Sequence, residues 1–275
     1  MGGRRRCILI NANEDADGLI FAGGKPRVSS TDYMYDVAHG NIPDHRIAYK
    51  FGRSESLTTS ESDVWMTGGL YVWPTSGMQM SLVSSSANDD DGNTGIKTVI
   101  ISYLKAVTLI EAFEIVTLNG TTPVLTVATD IYRVNGLMAG SVGSAGKAVG
   151  PISIKNAAGS VTYKTIPIGN TEDRDMIYTV PGGYTLYIDQ ISSGSSSITG
   201  KKCEWVGRVT CNPRTGTALT FLLPIYQEIT QNITIIRTYR GPMKFIEKTD
   251  IKLSAISDTA GTIGLAEVRG WLEKN

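Results

Sequence analysis

The stretch FEIVTLNGTTPVLTV, residues 113–127, decides the fold class. Within residues 113–118 the side chains alternate between two faces, and branched and aromatic residues dominate, as is typical of a β-strand. The run ends at Asn119-Gly120, and both of these residues accept the positive φ angles of a type I′ turn. Residues 124–127 would then be the return strand, so the stretch predicts a β-hairpin.

Similar short apolar runs, separated by turn signals, recur on both sides of this hairpin. They predict strands at residues 80–83, 97–104, 130–134, 152–155, 160–166, 176–180, 184–191, 203–209, 218–223, 233–239, 251–256 and 265–272. Residues 156–159 and 181–183 read as the turns of two further hairpins, and Asn135-Gly136 closes the strand before it. Residues 140–150 and 192–199 are rich in glycine and serine and predict loops.

Strands this short, without a long helical pattern, predict an all-β chain with two β-sandwich or jelly-roll-like domains. We place the first domain at residues 51–169 and the second at residues 170–275, with the boundary at a polar stretch, residues 169–173. Residues 1–50 predict an extended N-terminal arm with one short helix at residues 31–38, capped by Thr31. Such an arm buries little of itself, so neighbouring subunits would order it.

Composition narrows the classes of function. The chain of 275 residues has 26 basic and 26 acidic side chains, a balance that argues against coating nucleic acid. It lacks an apolar stretch of the roughly 18 residues that span a bilayer. The apolar run after Arg4-Arg5-Arg6 is too short for a secretion signal, so we predict synthesis in a cytoplasm and no membrane contact.

Residues with catalytic or metal-binding chemistry are sparse. The two histidines, His39 and His45, both fall in the predicted arm, so a nucleophile in the folded body has no natural general base. Their spacing suits no zinc pair. Cys203 and Cys211 could meet across a hairpin, but a reducing compartment favours free, buried thiols. We therefore predict no catalytic residues, no metal and no cofactor.

Two loops resemble ligand-binding motifs and fail on inspection. Residues 140–147 look like a phosphate-binding loop, but the glycine spacing is wrong and Ala148 stands where the motif has Ser or Thr. Residues 88–93 place Asp89, Asp91 and Asn93 at odd positions, as a calcium loop does, but Thr94 replaces the required glycine. Residues 140–147 therefore predict a flexible connection between strands. Residues 88–93 predict a solvated turn, with a weak cation site as the alternative.

Three aromatic residues, Trp65, Tyr71 and Trp73, cluster around Gly68-Gly69. Aromatic side chains with a polar end are good anchors in subunit interfaces, and they also stack on sugars. A core position or a subunit contact is the preferred interpretation, and a sugar platform is the alternative.

The order of several short motifs resembles a family of small virion structural proteins of tailed phages. The motifs are YKFGR (49–53), DVW (63–65), GGLY (68–71), VSSSANDD (83–90), GIKTV (95–99), VTLNGTTPV (116–124), YRVN (132–135), IYTVPGG (177–183) and EKTDI (247–251). The resemblance covers roughly residues 50–275 and leaves the first fifty unmatched. Residues 102–105 depart from the family, which tends to have a Gly-Leu-Asp loop there.

The resemblance implies a non-enzymatic structural role in the virion and carries over no catalytic residue. The main hypothesis is a capsid decoration or cement protein that binds the major capsid protein as a trimer; a tail or collar component is the alternative, followed by a host-glycan-binding module. An enzyme that degrades polysaccharide would need paired carboxylates on a long repetitive fold. Our candidate interface residues are Tyr33, Tyr35, Lys50, Phe51, Arg53, Trp65, Tyr71 and Trp73.

Overall fold

Regular secondary structure is almost entirely β-strand in a computed structural model that describes residues 33–196, 201–210 and 223–275. The elements in these ranges are α1 (Tyr33–Ala38), β1 (His45–Leu57), β2 (Ser62–Asp63), β3 (Met80–Ser84), β4 (Ile96–Lys105), β5 (Glu111–Thr117), β6 (Val124–Leu125), β7 (Ile131–Val142), β8 (Ile152–Asn156), β9 (Thr162–Ile166), β10 (Ile177–Thr179), β11 (Tyr184–Ser196), β12 (Cys203–Val209), β13 (Leu223–Thr230), β14 (Thr234–Phe245), β15 (Asp250–Ser257) and β16 (Thr262–Lys274). Antiparallel pairing joins them into small sheets, so the predicted all-β class is confirmed.

Two sheets contribute to one hydrophobic core, which we call the C-terminal core. One sheet has the order β1-β16-β11-β14, and the other has the order β10-β15-β12-β13 with β2 paired to β15. The core side chains alternate with polar ones along the strands, as expected for sheets with one buried face. The C-terminal core consists of Leu57, Val64, Met176, Val180, Leu186, Ile188, Ile191, Cys203, Trp205, Val209, Tyr226, Ile251, Leu253, Ala255, Ala266 and Leu272.

The other two sheets contribute to a second core, which we call the central core. Their orders are β6-β3-β8-β9 and β5-β4-β7. The central core consists of Trp65, Tyr71, Met80, Leu82, Ile96, Val99, Ile101, Tyr103, Val116, Leu118, Ile131, Val134, Leu137, Ala148, Ile152, Ile154, Tyr163, Ile166 and Ile177. The chain thus buries two separate apolar clusters, one drawn mostly from its middle and the other mostly from its end.

Strand β1 begins inside the segment predicted as an arm. It pairs along its length with β16, from His45 opposite Glu273 to Leu57 opposite Thr262, so residues 45–57 form an edge of a sheet around the C-terminal core. The inward positions of β1 hold small or charged residues such as Ala48 and Lys50, which hides the apolar alternation that marks a strand. The boundary predicted at residue 51 therefore falls within this strand, and residues 1–32 of the predicted arm lie outside the described ranges.

The hairpin predicted at residues 113–127 does not form. Strand β5 pairs with β4, with Phe113 opposite Ser102, whereas β6 pairs with β3 in a different sheet, with Val124 opposite Leu82. A type I′ turn needs positive φ at both central residues, but of the Asn119-Gly120 pair only Gly120 has one, at 56°. Burial of apolar side chains in the central core overrides the local preference for a hairpin.

Of the two other predicted hairpins, one is confirmed and one is wrong. Strands β8 and β9 pair around a turn in which Gly159 has a φ of 74°. The turn at residues 181–183 instead connects different sheets, because β10 pairs with β15 and β11 pairs with β14 and β16. The buried Ile177 of β10 belongs to the central core, whereas the buried apolar residues of β11 belong to the C-terminal core, so the two strands contribute to different clusters.

Several boundaries differ from the sequence-based expectation. Strand β7 continues through Asn135-Gly136, with a register shift there, so this pair is a bulge rather than a turn. Strand β11 extends to Ser196, into the predicted loop at 192–199. Helix α1 confirms the predicted helix. Three other predictions lie outside the described ranges: the cap Thr31, Cys211 and most of the strand at residues 218–223.

Gly270 in β16 is a position where only glycine fits. An ideal Cβ built on it would lie 1.8 Å from the carbonyl oxygen of Tyr187, whereas one on Gly241, in β14 of the same sheet, would meet nothing within 4 Å. We expect Gly270→Ala to lower the free energy of unfolding by at least about 2 kcal/mol, because the backbone must move apart. Gly241→Ala should change it by less than about 0.5 kcal/mol. Urea denaturation of both variants checks this, and equal stability would contradict it.

Candidate functional site

The aromatic residues predicted as an interface lie mostly inside the chain. Trp65 and Tyr71 are 5% and 6% exposed, and their ring centroids are 5.3 Å apart. The indole nitrogen of Trp65 donates a hydrogen bond to the carbonyl oxygen of Gly69 at 3.0 Å. Trp73 is partly buried against the central core, with the Arg133 guanidinium 5.0 Å from its ring. Trp65 and Tyr71 are thus core residues, which confirms the predicted core position and contradicts the alternative of an interface contact.

The two tyrosines of α1 have different surroundings. Tyr33 packs edge-on against Trp271 at 4.8 Å, and burial raises the pKa of its phenol. Trp271 in turn stacks on Tyr187 at 5.2 Å. Tyr35 is 55% exposed and stacks on His39, and its contact with a partner stays a prediction. Helix α1 thus covers part of the sheet that contains β1 and β16 and leaves Tyr35 at the surface.

The three interface candidates on β1 also separate. Lys50 points inward into a cluster of charged groups, so its predicted interface role is wrong. Phe51 is partly buried, with the Arg174 guanidinium 5.6 Å from its ring. Arg53 forms a two-point ion pair with Glu55, at 2.6 and 3.0 Å. Phe51 and Arg53 remain partly accessible, and their contact with a partner stays a prediction.

An apolar surface that the sequence analysis missed lies on the sheet β5-β4-β7. Ile115 is opposite Ile100, and Ile100 is opposite Met138, so these three side chains form a row across three strands on one face. Phe113 lies two residues along β5 from Ile115, on the same face. Phe113, Ile115 and Met138 are 61%, 66% and 53% exposed. We call Ile100, Phe113, Ile115 and Met138 the apolar face.

A groove runs between the apolar face and strand β1. It has a volume of about 250 Å³, and its lining includes Tyr49, Ile100, Phe113, Met138 and Glu172. Tyr49 is 58% exposed, and burial of its phenol together with the nearby Glu267 and Glu172 carboxylates raises its pKa. The groove therefore offers apolar contact area, and the phenol of Tyr49 at its edge is hydrogen-bonded to Glu267.

Beneath the groove, two lysines and two aspartates form a buried ionic cluster. The Lys50 ammonium lies 2.8 Å from Asp173 Oδ2 and 3.4 Å from Asp175 Oδ1. The Lys164 ammonium lies 2.5 Å from Asp175 Oδ2 and 3.5 Å from Asp173 Oδ2. Lys50 also donates to the carbonyl oxygen of Asn135 at 2.9 Å. The cluster joins β1 of one sheet to β7 and β9 of the other core and to the segment before β10.

The four groups of the ionic cluster have unequal pKa shifts. Burial opposes the charge on Lys50 and Asp173, but their mutual attraction outweighs it, so the pKa of Lys50 rises and that of Asp173 falls. Burial dominates at the other pair, where it lowers the pKa of Lys164 and raises the pKa of Asp175. The Lys50–Asp173 pair is therefore firmly ionic, whereas Lys164 and Asp175 are both shifted towards their neutral forms.

A second buried ion pair joins the two cores. Arg133 on β7 contacts both carboxylate oxygens of Asp250 on β15, at 3.1 and 3.3 Å, and both side chains are at most 1% exposed. Arg133 also donates to the carbonyl oxygen of Pro74 at 2.7 Å, and Thr179 Oγ1 donates to Asp250 at 2.5 Å. This two-point pair fixes β7 against β15 with a defined orientation.

The two loops that resemble ligand-binding motifs contact each other. Asp89 is fully buried, and its carboxylate accepts hydrogen bonds from the backbone N–H groups of Ile96, Val149 and Gly150 at 2.9–3.0 Å and from Ser84 Oγ at 2.6 Å. Val149 and Gly150 end the glycine-rich loop, so its amides bind the protein's own carboxylate. The solvated turn predicted at residues 88–93 is therefore wrong at Asp89, whose bonded oxygens leave little capacity for a cation.

The remaining candidates for catalysis or metal binding lie apart. His39 donates to the carbonyl oxygen of Tyr35, and His45 lies 3.8 Å from the Glu273 carboxylate. In the ranges 33–196, 201–210 and 223–275, no group of three or more His, Cys, Asp or Glu residues could hold a metal ion. Cys203 is a free, buried thiol, and burial raises its pKa to about 12. No helix in the same ranges is long and apolar enough to cross a membrane.

Comparison with known proteins found no matching family model, no matching curated protein and no matching solved structure. By its fold, the molecule is an all-β chain of small antiparallel sheets with two hydrophobic cores and charged groups between them.

The ionic residues had only a weak signal in the sequence. Asp173 and Asp175 alternate in a polar stretch, and a strand-like segment with a period of two would place both side chains on one side. Their lysine partners are 123 and 11 residues away in the chain, so spacing alone does not identify them. The polar stretch at residues 169–173, predicted as a domain boundary, ends in Asp173 of the ionic cluster, and Asp175 follows two residues later.

Proposed function

We propose that this protein is a non-enzymatic structural subunit of a tailed-phage virion, which binds the major capsid protein on the outer surface of the capsid. The observation that carries the proposal is the apolar face, where three large side chains more than half exposed share one face of the sheet β5-β4-β7. Contiguous exposed apolar residues mark protein contacts, because water contact with them is unfavourable. The proposal places the protein in the virion after synthesis in the host bacterial cytoplasm.

We further propose that each pair of sheets forms a β-sandwich-like body. This is supported by the origin of the core side chains, since Val99 and Ile101 of β4 cluster with Leu82 of β3 and Ile154 of β8 from the other sheet. In the C-terminal core, side chains of β11 and β16 cluster with those of β12 and β15 in the same way. Alternating inward residues from two sheets are the usual content of such a core.

Rigidity supports a structural role. The ionic cluster and the Arg133–Asp250 pair cross from one core to the other, and each needs a specific arrangement of both bodies. A subunit repeated over a capsid must present its contact surfaces at a fixed angle, since every copy makes the same contacts. Buried, two-point ion pairs hold the two bodies in one relative orientation, because a small displacement would leave buried charges unpaired.

An exposed edge strand supports the further proposal that the subunits form a trimer. Among the described residues β14 pairs with β11 alone, and most of its side chains are exposed along Thr234–Phe245. Within the same ranges, its other side offers backbone N–H and C=O groups that a strand from a neighbouring copy can bind. Pro242 and the three basic residues Arg237, Arg240 and Lys244 would limit unregulated pairing at this edge.

The copy number in purified particles tests the location. Quantitative mass spectrometry should find this chain at a stoichiometry comparable to that of the major capsid protein. A copy number far below that value would favour the alternative, a tail or collar component. Absence from the particles would overturn the virion proposal, and a glycan array would then test the host-glycan alternative.

A variant of the apolar face tests the contact surface. We expect the double variant Phe113→Ser/Ile115→Ser to lose binding to particles that lack the protein, while its free energy of unfolding changes by less than about 1 kcal/mol because both side chains are exposed. Ile168→Ser is the matched control, since Ile168 is 63% exposed but lies in a loop. It should bind as the unmodified protein does. Equal binding of the double variant, measured by co-sedimentation, would contradict the proposed surface.

A further inference from the structure

The pair Lys164 and Asp175 within the ionic cluster has an unusual setting. The Lys164 side chain is 0% exposed, and its Nζ lies 2.5 Å from Asp175 Oδ2. Lys164 lies in β9 together with the buried residues Tyr163 and Ile166. The backbone N–H of Ile177 donates a hydrogen bond to Asp175 Oδ1 at 3.1 Å. The amine and the carboxyl group are thus held in contact and away from water by elements that cannot easily separate.

Burial shifts the pKa values of both groups of this pair. It lowers the pKa of the Lys164 ammonium and raises the pKa of the Asp175 carboxyl, so proton transfer from one to the other becomes easier than in water. The product of this transfer is a neutral amine, which is a nucleophile, next to a neutral carboxylic acid, which is an electrophile.

The surrounding groups match the requirements of an acyl transfer. Asp173 Oδ2 lies 3.5 Å from Lys164 Nζ, and Asp173 is held by Lys50 at 2.8 Å and by the backbone N–H of Leu137 at 2.7 Å. Lys50 also lies 3.4 Å from Asp175 Oδ1, the oxygen that already accepts the Ile177 N–H. One oxygen of Asp175 therefore faces two donors and the other faces the amine.

We propose that Lys164 and Asp175 form an intramolecular isopeptide bond between Nζ and Cγ. The lone pair of the neutral amine attacks Cγ, and the Lys50 ammonium and the Ile177 N–H stabilise the negative charge that develops on Oδ1. The attacking nitrogen passes a proton to the leaving Oδ2 hydroxyl, 2.5 Å away, while the Asp173 carboxylate, 3.5 Å from Nζ, stabilises the positive charge that develops on that nitrogen. A C–N bond forms, the C–Oδ2 bond breaks and one water molecule leaves, with no oxidant, reductant or cofactor.

The bond would act where the two cores meet. It links β9 of the central core to the segment that leads into β10 of the C-terminal sheets, and it closes a short covalent loop around residues 164–175. The ionic cluster would then be a preorganised arrangement for its own crosslinking. This inference is independent of a role in a phage particle, because it depends only on groups within one chain.

The intact mass of the purified, denatured full-length chain tests the inference directly. We expect a mass lower than that of the sequence by one water molecule. Tryptic digestion should then yield a branched peptide in which residues 156–174, uncut at Lys164, are joined through the side chain to the peptide that begins at Asp175. A mass equal to that of the sequence, or a water loss located elsewhere, would overturn the inference.

Single variants assign the roles. Lys164→Arg should restore the full mass, whereas the matched control Lys155→Arg, on neighbouring β8, should keep the water loss. Asp173→Asn should restore most of the full mass although Lys164 and Asp175 are still present, because the negative charge beside the attacking nitrogen is missing. Complete crosslinking in the Asp173→Asn variant would overturn the role of Asp173, and water loss in Lys164→Arg would overturn the bond itself.

Discussion

Replacing Arg133 with methionine is expected to lower the free energy of unfolding by about 3–5 kcal/mol, the usual cost of removing one partner of a buried ion pair. Arg133 and Asp250 are 1% and 0% exposed, so water cannot replace the lost guanidinium. The variant also leaves the carbonyl oxygen of Pro74 without the hydrogen bond that Arg133 donates. Methionine keeps most of the side-chain volume, so the loss reports mainly on the charge.

A surface arginine is the matched control for this variant. Arg53 also forms a two-point pair, with Glu55, but that pair is at the surface. Arg53→Met should therefore lower the free energy of unfolding by less than about 1 kcal/mol. Guanidinium chloride titrations followed by tryptophan fluorescence would measure both. A similar loss in the two variants would contradict the dominant role of the buried pair.

Removing both partners separates the cost of an unpaired charge from the value of the pair. In the double variant Arg133→Met/Asp250→Leu the buried charge is gone, and apolar replacement of a buried pair is often neutral or stabilising. We therefore expect the double variant to be more stable than Arg133→Met alone. If the double variant is less stable than Arg133→Met, the hydrogen bond from Thr179 to Asp250 is the more important contact.

The second large effect is expected at Asp89. Asp89→Ala removes the acceptor of two buried backbone N–H groups and one partly buried one, and each unsatisfied buried group costs about 1–3 kcal/mol. We expect the free energy of unfolding to fall by at least about 3 kcal/mol, within the range of the most damaging single substitutions. Thermal unfolding monitored by circular dichroism would measure the change.

Two further variants grade this effect. Asp89→Asn keeps one acceptor oxygen, so its loss should be smaller than that of Asp89→Ala. Asp91→Ala removes a carboxylate two residues away that is exposed, and it should change the free energy of unfolding by less than about 0.5 kcal/mol. An equal effect of Asp91→Ala and Asp89→Ala would indicate that the loop acts through its net charge rather than through the hydrogen bonds of Asp89.

The sequence predicted the elements better than their pairing. Short apolar runs located most strands of the described residues, and residues 152–166 formed the predicted hairpin because Asn156 and Gly159 stabilise a local turn. Residues 113–127 and 176–191 had equally good turn signals and formed no hairpin. Strand β5 pairs with the preceding strand β4, whereas β6, β10 and β11 pair with β3, β15 and β16, which are distant in the chain, so pairing in the folded chain overrides these turn signals.

Interface prediction from the aromatic residues was largely misleading. Trp65 and Tyr71 look like anchors in the sequence, yet they pack inside the central core. The exposed apolar row contains Ile115 and Met138, whose outward direction depends on the register of β5 and β7 against β4. Register is not encoded in a single strand, so no pattern in the sequence distinguished the exposed residues from the buried ones.

By itself, the sequence determined that this protein is an all-β chain with many short strands, since alternation and turn residues act locally. Only the tertiary structure decided which strands pair, which aromatics are buried, and that Lys50, Lys164, Asp173 and Asp175 meet. The physical reason is that these contacts join residues distant in the chain, such as Lys50 and Asp173, which are 123 positions apart, and their free energy comes from burial and charge pairing that exist only after both cores have formed.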